Sequence, residues 1–249
     1  MTLASLHQPN FLPWTRLVDK ILSSDIWIVY DSAQYTKTEF HSRQLVKGRN
    51  GPVWLSTPVV TANRPRFQTL SEVELSDHTD WRSAHLRLLR EHYRRTPYWP
   101  EVLAVLEPSY SRHHRLLVDF SLDLTQALLQ YLGSSTQVIR ATSLPHCGDT
   151  TDRLIQLNRA VGADEHLTST WGSGRVRIDW PRVAAAGISV REQHFQHPRY
   201  PQAHGDFVEG LSVLDLLCNC GPASAQLLAQ HRLNRLVLSA QQWAAELHG

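Results

Sequence analysis

Four side chains able to bind a ligand lie close together near the start of the chain: His7, Gln8, Asn10 and Trp14. They follow a short apolar run and lead into a helical pattern, which predicts a strand, a proline-bounded turn and the start of a helix. In open α/β sheets, ligands bind beyond the carboxyl ends of strands, where this turn would lie. A neutral histidine there can act as a general base, and the two amides can hold amide, hydroxyl or phosphate groups. The alternative is that these side chains only make the local hydrogen bonds of a turn.

A carboxylate and two basic side chains form a second group of candidates. Asp31 directly follows the continuous apolar run 26–30, so it is expected to end a buried strand. There it can orient a histidine or bind a cation, or simply cap the next segment. Lys37 and Arg43 lie in the polar and aromatic segment 32–52, which we interpret as a functional loop or short hairpin. They can bind a phosphate or carboxylate, for which the arginine fork is suited, whereas a solvated loop face is the alternative.

A third group lies near the C-terminal end. Ser212, Asp215 and Asn219 are spaced by three and four residues, so a helix would place them on one face among apolar neighbours. Polar groups on the inner side of such a helix need partners, and the turn at His7 or Asp31 is one candidate. The alternative is a helix cap at Ser212 with a buried structural network.

The elements that must position these residues follow from the apolar pattern. Strand, helix and strand within about 30 residues predict a right-handed βαβ unit, with the turns at His7 and Asp31 at one edge of a parallel sheet and facing one pocket. Further strands are predicted at 53–60, 72–75, 136–141 and 188–193, and further helices at 80–97, 99–106, 116–132, 151–161, 181–186, 211–218, 222–231 and from about 239. The order predicts an α/β fold with a mostly parallel, Rossmann-like sheet, a helical insertion and C-terminal helices. We expect a single domain over residues 1–249, with the insertion at about 79–132.

Composition excludes several classes of protein. The net charge of +2 over 249 residues, without blocks of like charge, does not indicate a DNA-binding protein. There is no secretion-signal pattern and no apolar run long enough for a membrane helix, so we expect a cytoplasmic protein that does not span a membrane. Three cysteines fit free thiols in a reducing compartment, and their spacing does not predict a metal site.

The motifs together resemble the WbqC-like protein family. Its members open with a His-Gln-Pro-Asn turn and a Leu-Pro-Trp step, as residues 7–14 do here. The resemblance continues, in family order, through Asp31, Gln34, Tyr35, Lys37, Arg43, the strand 54–59, the stretch 152–155, Tyr200 to Gln202, Phe207 and the segment 211–221. Two departures, Ser42-Arg43-Gln44 in place of Asn-Arg-Asn and a loose match at 167–172, suggest a specialised substrate loop.

The resemblance implies an enzyme that forms an amide bond by transferring an aminoacyl group, such as glycyl, or an acyl group onto an amine of a sugar or natural-product intermediate. The candidate catalytic residues are then His7, Asp31 and Lys37. The candidate substrate-binding residues are Gln8, Asn10, Trp14, Gln34, Tyr35, Arg43, Gln202, Ser212, Asp215 and Asn219. The partner would be a small-molecule substrate, and the donor is left open between ATP-dependent activation, aminoacyl-tRNA and a carrier protein.

Two other functions stay open. A strand, a turn with histidine and proline, a helix and a second strand also describe the start of nucleotidyltransferase-like domains, so an ATP-dependent carboxylate-activating or nucleotidyl-transfer enzyme is one alternative. A non-catalytic binding protein of the same pathway is the other.

Overall fold

A parallel strand–helix–strand unit at the N-terminus establishes the frame of the fold. The computed structural model describes residues 1–61, 65, 67–169, 177–230 and 232–240. Strand β1 (Leu3–His7) leads through helix α1 (Thr15–Leu22) to strand β2 (Ile26–Val29). The two strands pair in parallel, with Ala4 opposite Ile26 and His7 opposite Val29. The βαβ unit predicted from the sequence is confirmed.

The main sheet has six strands in the order β5-β2-β1-β6-β7-β8. All neighbours pair in parallel except β7 and β8, which are antiparallel. The remaining strands are β3 (Arg43–Gly48), β4 (Gly51–Ser56), β5 (Gln137–Arg140), β6 (Glu165–Thr168), β7 (Ser189–Phe195) and β8 (Arg232–Leu238). The remaining helices are α2 (Trp81–Tyr93), α3 (Trp99–Ser111), α4 (Leu117–Tyr131), α5 (Thr150–Ala160), α6 (Trp180–Ala185), α7 (Val213–Cys220) and α8 (Ala223–Gln230). The mostly parallel α/β fold is as predicted.

Helices cover both faces of this sheet. Alternate side chains of β2 point to opposite faces of the sheet. Trp27 and Val29 belong to the large core under α1–α4 and α7. Ile26 and Ile28 belong to a second core, which includes Leu157 of α5. A strand buried on both faces reads as the continuous apolar run seen in the sequence. The helices α1 and α5 therefore lie on opposite sides of the sheet.

Strands β3 and β4 form a separate antiparallel hairpin, joined at Arg49 and Asn50. The hairpin interpretation of 32–52 is confirmed in part, since β4 extends it to Ser56. Two predicted strands differ from the structure. The predicted strand 53–60 ends at Ser56 in the structure. The predicted strand 72–75 forms only isolated bridges, such as the one between Leu75 and Val59. Alternation of apolar residues there reflects packing of an irregular segment against the core.

The sequence did not predict β6 or β8. Strand β6 reads Glu-His-Leu-Thr, so its polar composition conceals a strand whose four residues are all buried. Strand β8 is the antiparallel strand at the edge of the sheet. The apolar pattern of an edge strand is weaker than that of a central strand, because fewer of its side chains are buried. Two sequence features fall wholly or mostly outside the described residues: the helix predicted from about 239, and positions 170–172 of the stretch 167–172 that resembles the family. No helix in the described part of the chain is long and apolar enough to span a membrane.

Candidate active site

The strand order reverses direction beside β1, and a cavity lies at that point. From β1 the chain crosses through α1 to β2 on one side, while β6 pairs with β1 on the other. In open α/β sheets this topological switch point, outside the carboxyl ends of the strands, is the usual ligand site. The cavity has a volume of about 420 Å³, which suits a small molecule.

The described lining of the cavity carries two cationic side chains and no aspartate or glutamate. It comprises Leu6, His7, Gln8, Lys20, Tyr30, Thr150, Arg153, Leu154, His166, Thr168, Ser169, Ile178 and Trp180. These residues lie in β1, α1, α5, β6 and α6 or in the loop positions next to β1, β2, β6 and α6. Two of the predicted site residues, His7 and Gln8, are therefore in this lining.

His7 is held in one tautomer at the carboxyl end of β1. Its Nδ1–H donates to the Gln8 carbonyl oxygen at 2.8 Å. The neutral ring therefore carries its lone pair on Nε2. Burial, and next the charge of Lys20, lower the pKa of His7 to about 4. The imidazole is thus unprotonated at physiological pH and can accept a proton.

Lys20 brings a buried amine to the same cavity. The residue is 4% exposed, and its Nζ donates to the Leu6 carbonyl oxygen at 3.1 Å. Burial, and next the charge of Arg16, lower the pKa of Lys20 to about 7. The carboxylate of its neighbour Asp19 does not pair with the Lys20 ammonium, because it accepts hydrogen bonds from Arg232 Nε at 2.9 Å and from Gln193 Nε2 at 2.7 Å.

His166 on β6 is the second imidazole of the cavity. Its Nδ1 lies 3.3 Å from Asn158 Oδ1, and because the Asn158 amide nitrogen donates to the Leu154 carbonyl, that oxygen is free to accept. Burial, and next the charge of Lys20, lower the pKa of His166 to about 3. It is therefore neutral beside Lys20.

Arg153 reaches the cavity from the first turn of α5. Its Nη1 lies 3.5 Å from the Tyr30 hydroxyl, the long limit of a hydrogen bond. The residue is exposed, so most of its guanidinium donors face solvent or a ligand. Together with Lys20 it makes the cavity electropositive.

Gln8 fastens the segment after β2 to the turn after β1. Its Oε1 accepts from His41 Nε2 at 2.8 Å, and His41 Nδ1 accepts from the Thr36 backbone N–H at 3.3 Å. A backbone hydrogen bond from Phe11 N–H to the Phe40 carbonyl adds a second connection. Asn10 is buried within this turn and outside the cavity lining.

Asp31 lies at the same edge of the sheet, but its carboxylate is fully engaged elsewhere. Arg140 Nε donates to Oδ2 at 2.6 Å, and Thr142 donates its backbone N–H to Oδ1 at 3.0 Å and its hydroxyl to Oδ2 at 2.8 Å. Arg140 also pairs with Asp119 of α4. Asp31 therefore joins β2, β5 and α4 and, unlike the expectation of one shared pocket, does not line the cavity with His7.

The basic and aromatic residues after β2 form a surface apart from the cavity. Lys37 and Gln34 are exposed. The Tyr35 hydroxyl lies 2.9 Å from the Ser42 hydroxyl. The Arg43 guanidinium stacks 4.4 Å over the Trp54 ring and donates to the Thr38 carbonyl.

Trp14 belongs to this aromatic surface. Its ring stacks on Phe40 at 5.2 Å between centroids, and Phe40 in turn contacts Trp54 at 6.1 Å. The structure thus brings Trp14 and Arg43 together, but not with His7.

A second buried polar cluster contains Asp215 and Gln202. The Tyr200 hydroxyl donates to Asp215 Oδ2 at 2.9 Å, and Gln202 accepts from Lys47 Nζ at 3.3 Å. Burial raises the pKa of Asp215 to about 6, although hydrogen bonds from Tyr200 and Tyr93 oppose the rise. The partner of Asp215 is therefore Tyr200 instead of the turn at His7 or Asp31.

Ser212 and Asn219 serve helix α7 itself. The Ser212 hydroxyl oxygen accepts from the Leu214 N–H at 3.2 Å as the helix cap, while its backbone bridges to Trp14. Asn219 donates to the Asp215 carbonyl at 2.7 Å. The cap and the buried network match the alternative stated for this helix face.

Sequence reasoning missed Lys20, Arg153 and His166 as site residues. One signal was available: Lys20 follows Leu17 by three residues, so it lies on the apolar side of α1, where a lysine needs an explanation. Arg153 lies in a stretch that resembles the family, without an assigned role. His166 had no signal, because β6 itself was not predicted. Among the described residues, no group of three or more His, Cys, Asp or Glu side chains is arranged to hold a metal ion.

Comparison with known proteins supports the resemblance seen in the sequence. Residues 8–227 match the WbqC-like protein family. The uncharacterized protein Rv1507c of Mycobacterium tuberculosis is 31% identical over 232 residues, which cover 92% of this chain and 98% of that protein. No solved structure matches the chain.

Proposed function

The chain belongs to the WbqC-like protein family, and from that premise we propose that it is a cytoplasmic biosynthetic enzyme that forms amide bonds. It transfers an aminoacyl or acyl group onto an amine of a sugar or small natural-product intermediate. The cavity at the switch point is its active site. The partners of this reaction are an acyl donor and a small-molecule amine.

One observation carries this proposal: a neutral imidazole with its lone pair on Nε2 lies beside a buried amine in a cavity of small-molecule size. Amide formation requires a base for the amine proton and positive charge for the developing oxyanion. His7 supplies the first and Lys20 the second. Both groups are fixed by strand β1, because each forms a hydrogen bond to a β1 or adjoining backbone carbonyl.

The reaction balances with these groups. The amine nitrogen attacks the acyl carbonyl carbon, the C–O, C–S or acyl phosphate bond to the donor breaks, and the amine proton passes to His7 Nε2. The protonated imidazole then gives this proton to the departing donor oxygen or sulfur. A low pKa makes His7 a weak base, and the nitrogen of a tetrahedral adduct, a stronger acid than the free ammonium ion, is the group from which it can take the proton.

The donor can be an aminoacyl-tRNA, an acyl carrier protein or an acyl phosphate made with ATP. The electropositive lining favours one second candidate, an enzyme that itself activates a carboxylate with ATP, since phosphate groups need such charge. Release of AMP or ADP during turnover separates this candidate from simple transfer.

Metabolite profiling of the native host tests the proposal. We expect deletion of the gene to remove an amide-containing metabolite and to accumulate the corresponding free amine. The wild-type gene and a His113→Ala variant, whose histidine is 77% exposed and far along the chain, should restore the product. A His7→Ala variant should not restore it.

Two results would contradict the proposal. Full restoration by His7→Ala would remove the proposed base. An unchanged set of amides and amines in the deletion strain, with the ligand retained intact by the purified protein, would instead favour a non-catalytic binding protein.

A further inference from the structure

The charges around the cavity are unbalanced. Lys20 and Arg153 line it, and no acidic side chain does so among the lining residues that are described. An ammonium has three N–H donors, yet among the described residues the Lys20 amine has one hydrogen-bond acceptor, the Leu6 carbonyl. A buried charge without a counter-ion is unfavourable, so the Lys20 amine either loses its proton or is completed by an anion.

The contrast with Lys47 shows that the fold can satisfy a buried lysine. Lys47 is also buried, and its Nζ donates to both Gln202 Oε1 and the Asp206 carbonyl. Within the described part of the chain, Lys20 has no second acceptor of this kind, and the carboxylate of its neighbour Asp19 is held by Arg232 and Gln193. Two of its N–H donors therefore have no described protein acceptor and can bind a ligand.

Arg153 is placed to complete the same site. Its guanidinium is exposed and makes one long hydrogen bond among the described residues, to the Tyr30 hydroxyl, while the charge of nearby Asp149 also acts on it. The planar fork of arginine matches the two oxygens of a carboxylate or phosphate. Thr150, at the first position of the eleven-residue helix α5, adds a hydroxyl to the lining.

We propose that the cavity binds a carboxylate or phosphate group of the acyl donor or of the amine substrate, between the Lys20 ammonium and the Arg153 guanidinium. This inference rests on the proposed function only in assigning the anion to a substrate of that reaction. The sequence predicted anion binding at Lys37 and Arg43, whereas this inference assigns it to Lys20 and Arg153.

Isothermal titration with inorganic phosphate and, separately, with acetate tests the site. Both are added at pH 6.5 with the ionic strength held constant by sodium chloride. We expect the wild-type protein to bind at least one of them, and Lys20→Met and Arg153→Gln each to weaken the affinity by about tenfold or more, the effect of losing a charge-assisted hydrogen bond. Arg95→Gln, which removes an exposed arginine with no assigned role, is the matched control for Arg153→Gln and should bind like wild type.

The outcomes separate the possible sources. Binding of phosphate alone identifies a phosphate-bearing ligand, and binding of acetate alone identifies a carboxylate. No binding of either by the wild type, or wild-type affinity in Arg153→Gln, would overturn the inference. Because Arg153 is exposed, that variant tests the site even if Lys20→Met does not fold.

The same experiment distinguishes this inference from the proposed function. Loss of anion binding in Arg153→Gln together with full restoration of the host metabolite by His7→Ala would contradict only the catalytic proposal. A defect in His7→Ala without any anion binding would contradict only the anion site.

Discussion

At the scale of single residues, Lys20 is the most unusual group in the molecule. It lies on a helix face that packs into the core, and its amine reaches a cavity that also holds two neutral imidazoles. Burial disfavours the charged form of such an amine, and the two neutral histidines supply no negative charge to balance it. A lysine in this setting is partly neutral near pH 7, which makes its charge responsive to a ligand.

The first prediction concerns this amine. The chain has only three lysines, so protein labelled with ¹³C-lysine should give three resolvable Cε resonances. One of them should titrate with a midpoint near pH 7, because burial lowers the pKa of Lys20 to about 7. It should be absent from the spectrum of Lys20→Met and present in that of Lys37→Met. A Lys20 resonance that titrates only above pH 9 would show that its amine is solvated.

The sequence identified some site residues and missed others for physical reasons. His7 and Gln8 could be found because a polar turn after an apolar strand marks the carboxyl edge of a sheet. Lys20 and His166 could not be assigned to that edge, since their roles depend on which strands become neighbours. Local pattern alone did not show that β6 lies beside β1.

At the scale of elements, Asp31 connects three parts of the fold. The carboxylate has no solvent exposure, and it binds Arg140 at the end of β5 and Thr142 just beyond it. Arg140 extends the network to Asp119 of α4. Asp31 therefore connects β2 to β5 and, through Arg140, to α4 at the sheet edge that carries His7.

The second prediction follows from this network. Asp31→Ala should lower the free energy of unfolding by about 1–3 kcal/mol, because it leaves the backbone N–H and hydroxyl of Thr142 without their acceptor and removes the buried one of the two Arg140 partners. Urea denaturation measures the loss. Asp77→Ala, which removes a partly exposed pair with Arg82, is the matched control and should cost no more than about 1 kcal/mol. Equal, small effects of both changes would contradict the network.

Elements with a strong periodic pattern were predictable, whereas those defined by tertiary pairing were not. The predicted helix 116–132 corresponds to α4 (Leu117–Tyr131), followed by Gly133 in the left-handed region at φ 71°. The predicted strand 72–75 has the right alternation but no continuous partner strand, so only single bridges form. Strand formation requires a neighbour, and the sequence of one segment does not contain that information.

At the scale of the whole molecule, the topology assembles the cavity from distant parts of the chain. His7 and His166 are brought together because β1 and β6 are neighbours in the sheet. The chain crosses from β1 to β2 and from β6 to β7 in opposite directions across the sheet. The crevice between those crossovers is a property of the fold, and its chemistry is a property of the few side chains that line it.

The third prediction concerns stability against pH. Burial lowers the pKa values of His7 and His85 to about 4 and that of His166 to about 3, so these side chains are neutral in the folded protein. The unfolded chain takes up their protons near pH 6.5, and the folding free energy they support is therefore present above that pH and lost as the pH falls toward 4. Each contributes a slope of up to about 1.4 kcal/mol per pH unit. Asp215, whose pKa is raised to about 6, opposes this between about pH 6 and 4.

Urea midpoints between pH 7.5 and 4.5 test this prediction. His85→Gln should reduce the slope, because it removes one buried titrating group outside the cavity. His113→Ala is the control, since its histidine is exposed, and it should leave the slope unchanged. Stability that rises as the pH falls from 6.5 to 5 would contradict the sign.

The central claim is that the cavity at the switch point catalyses amide formation, and one assay tests it most directly. Purified protein is incubated with a small-molecule extract of the native host, ATP and aminoacyl-tRNA, and the products are followed by mass spectrometry. We predict that an amine is converted to its acylated amide, and that His7→Ala slows the initial rate by about 10²–10⁴-fold, the usual contribution of a general base, while His113→Ala does not. Conversion by His7→Ala at the wild-type rate would contradict the claim.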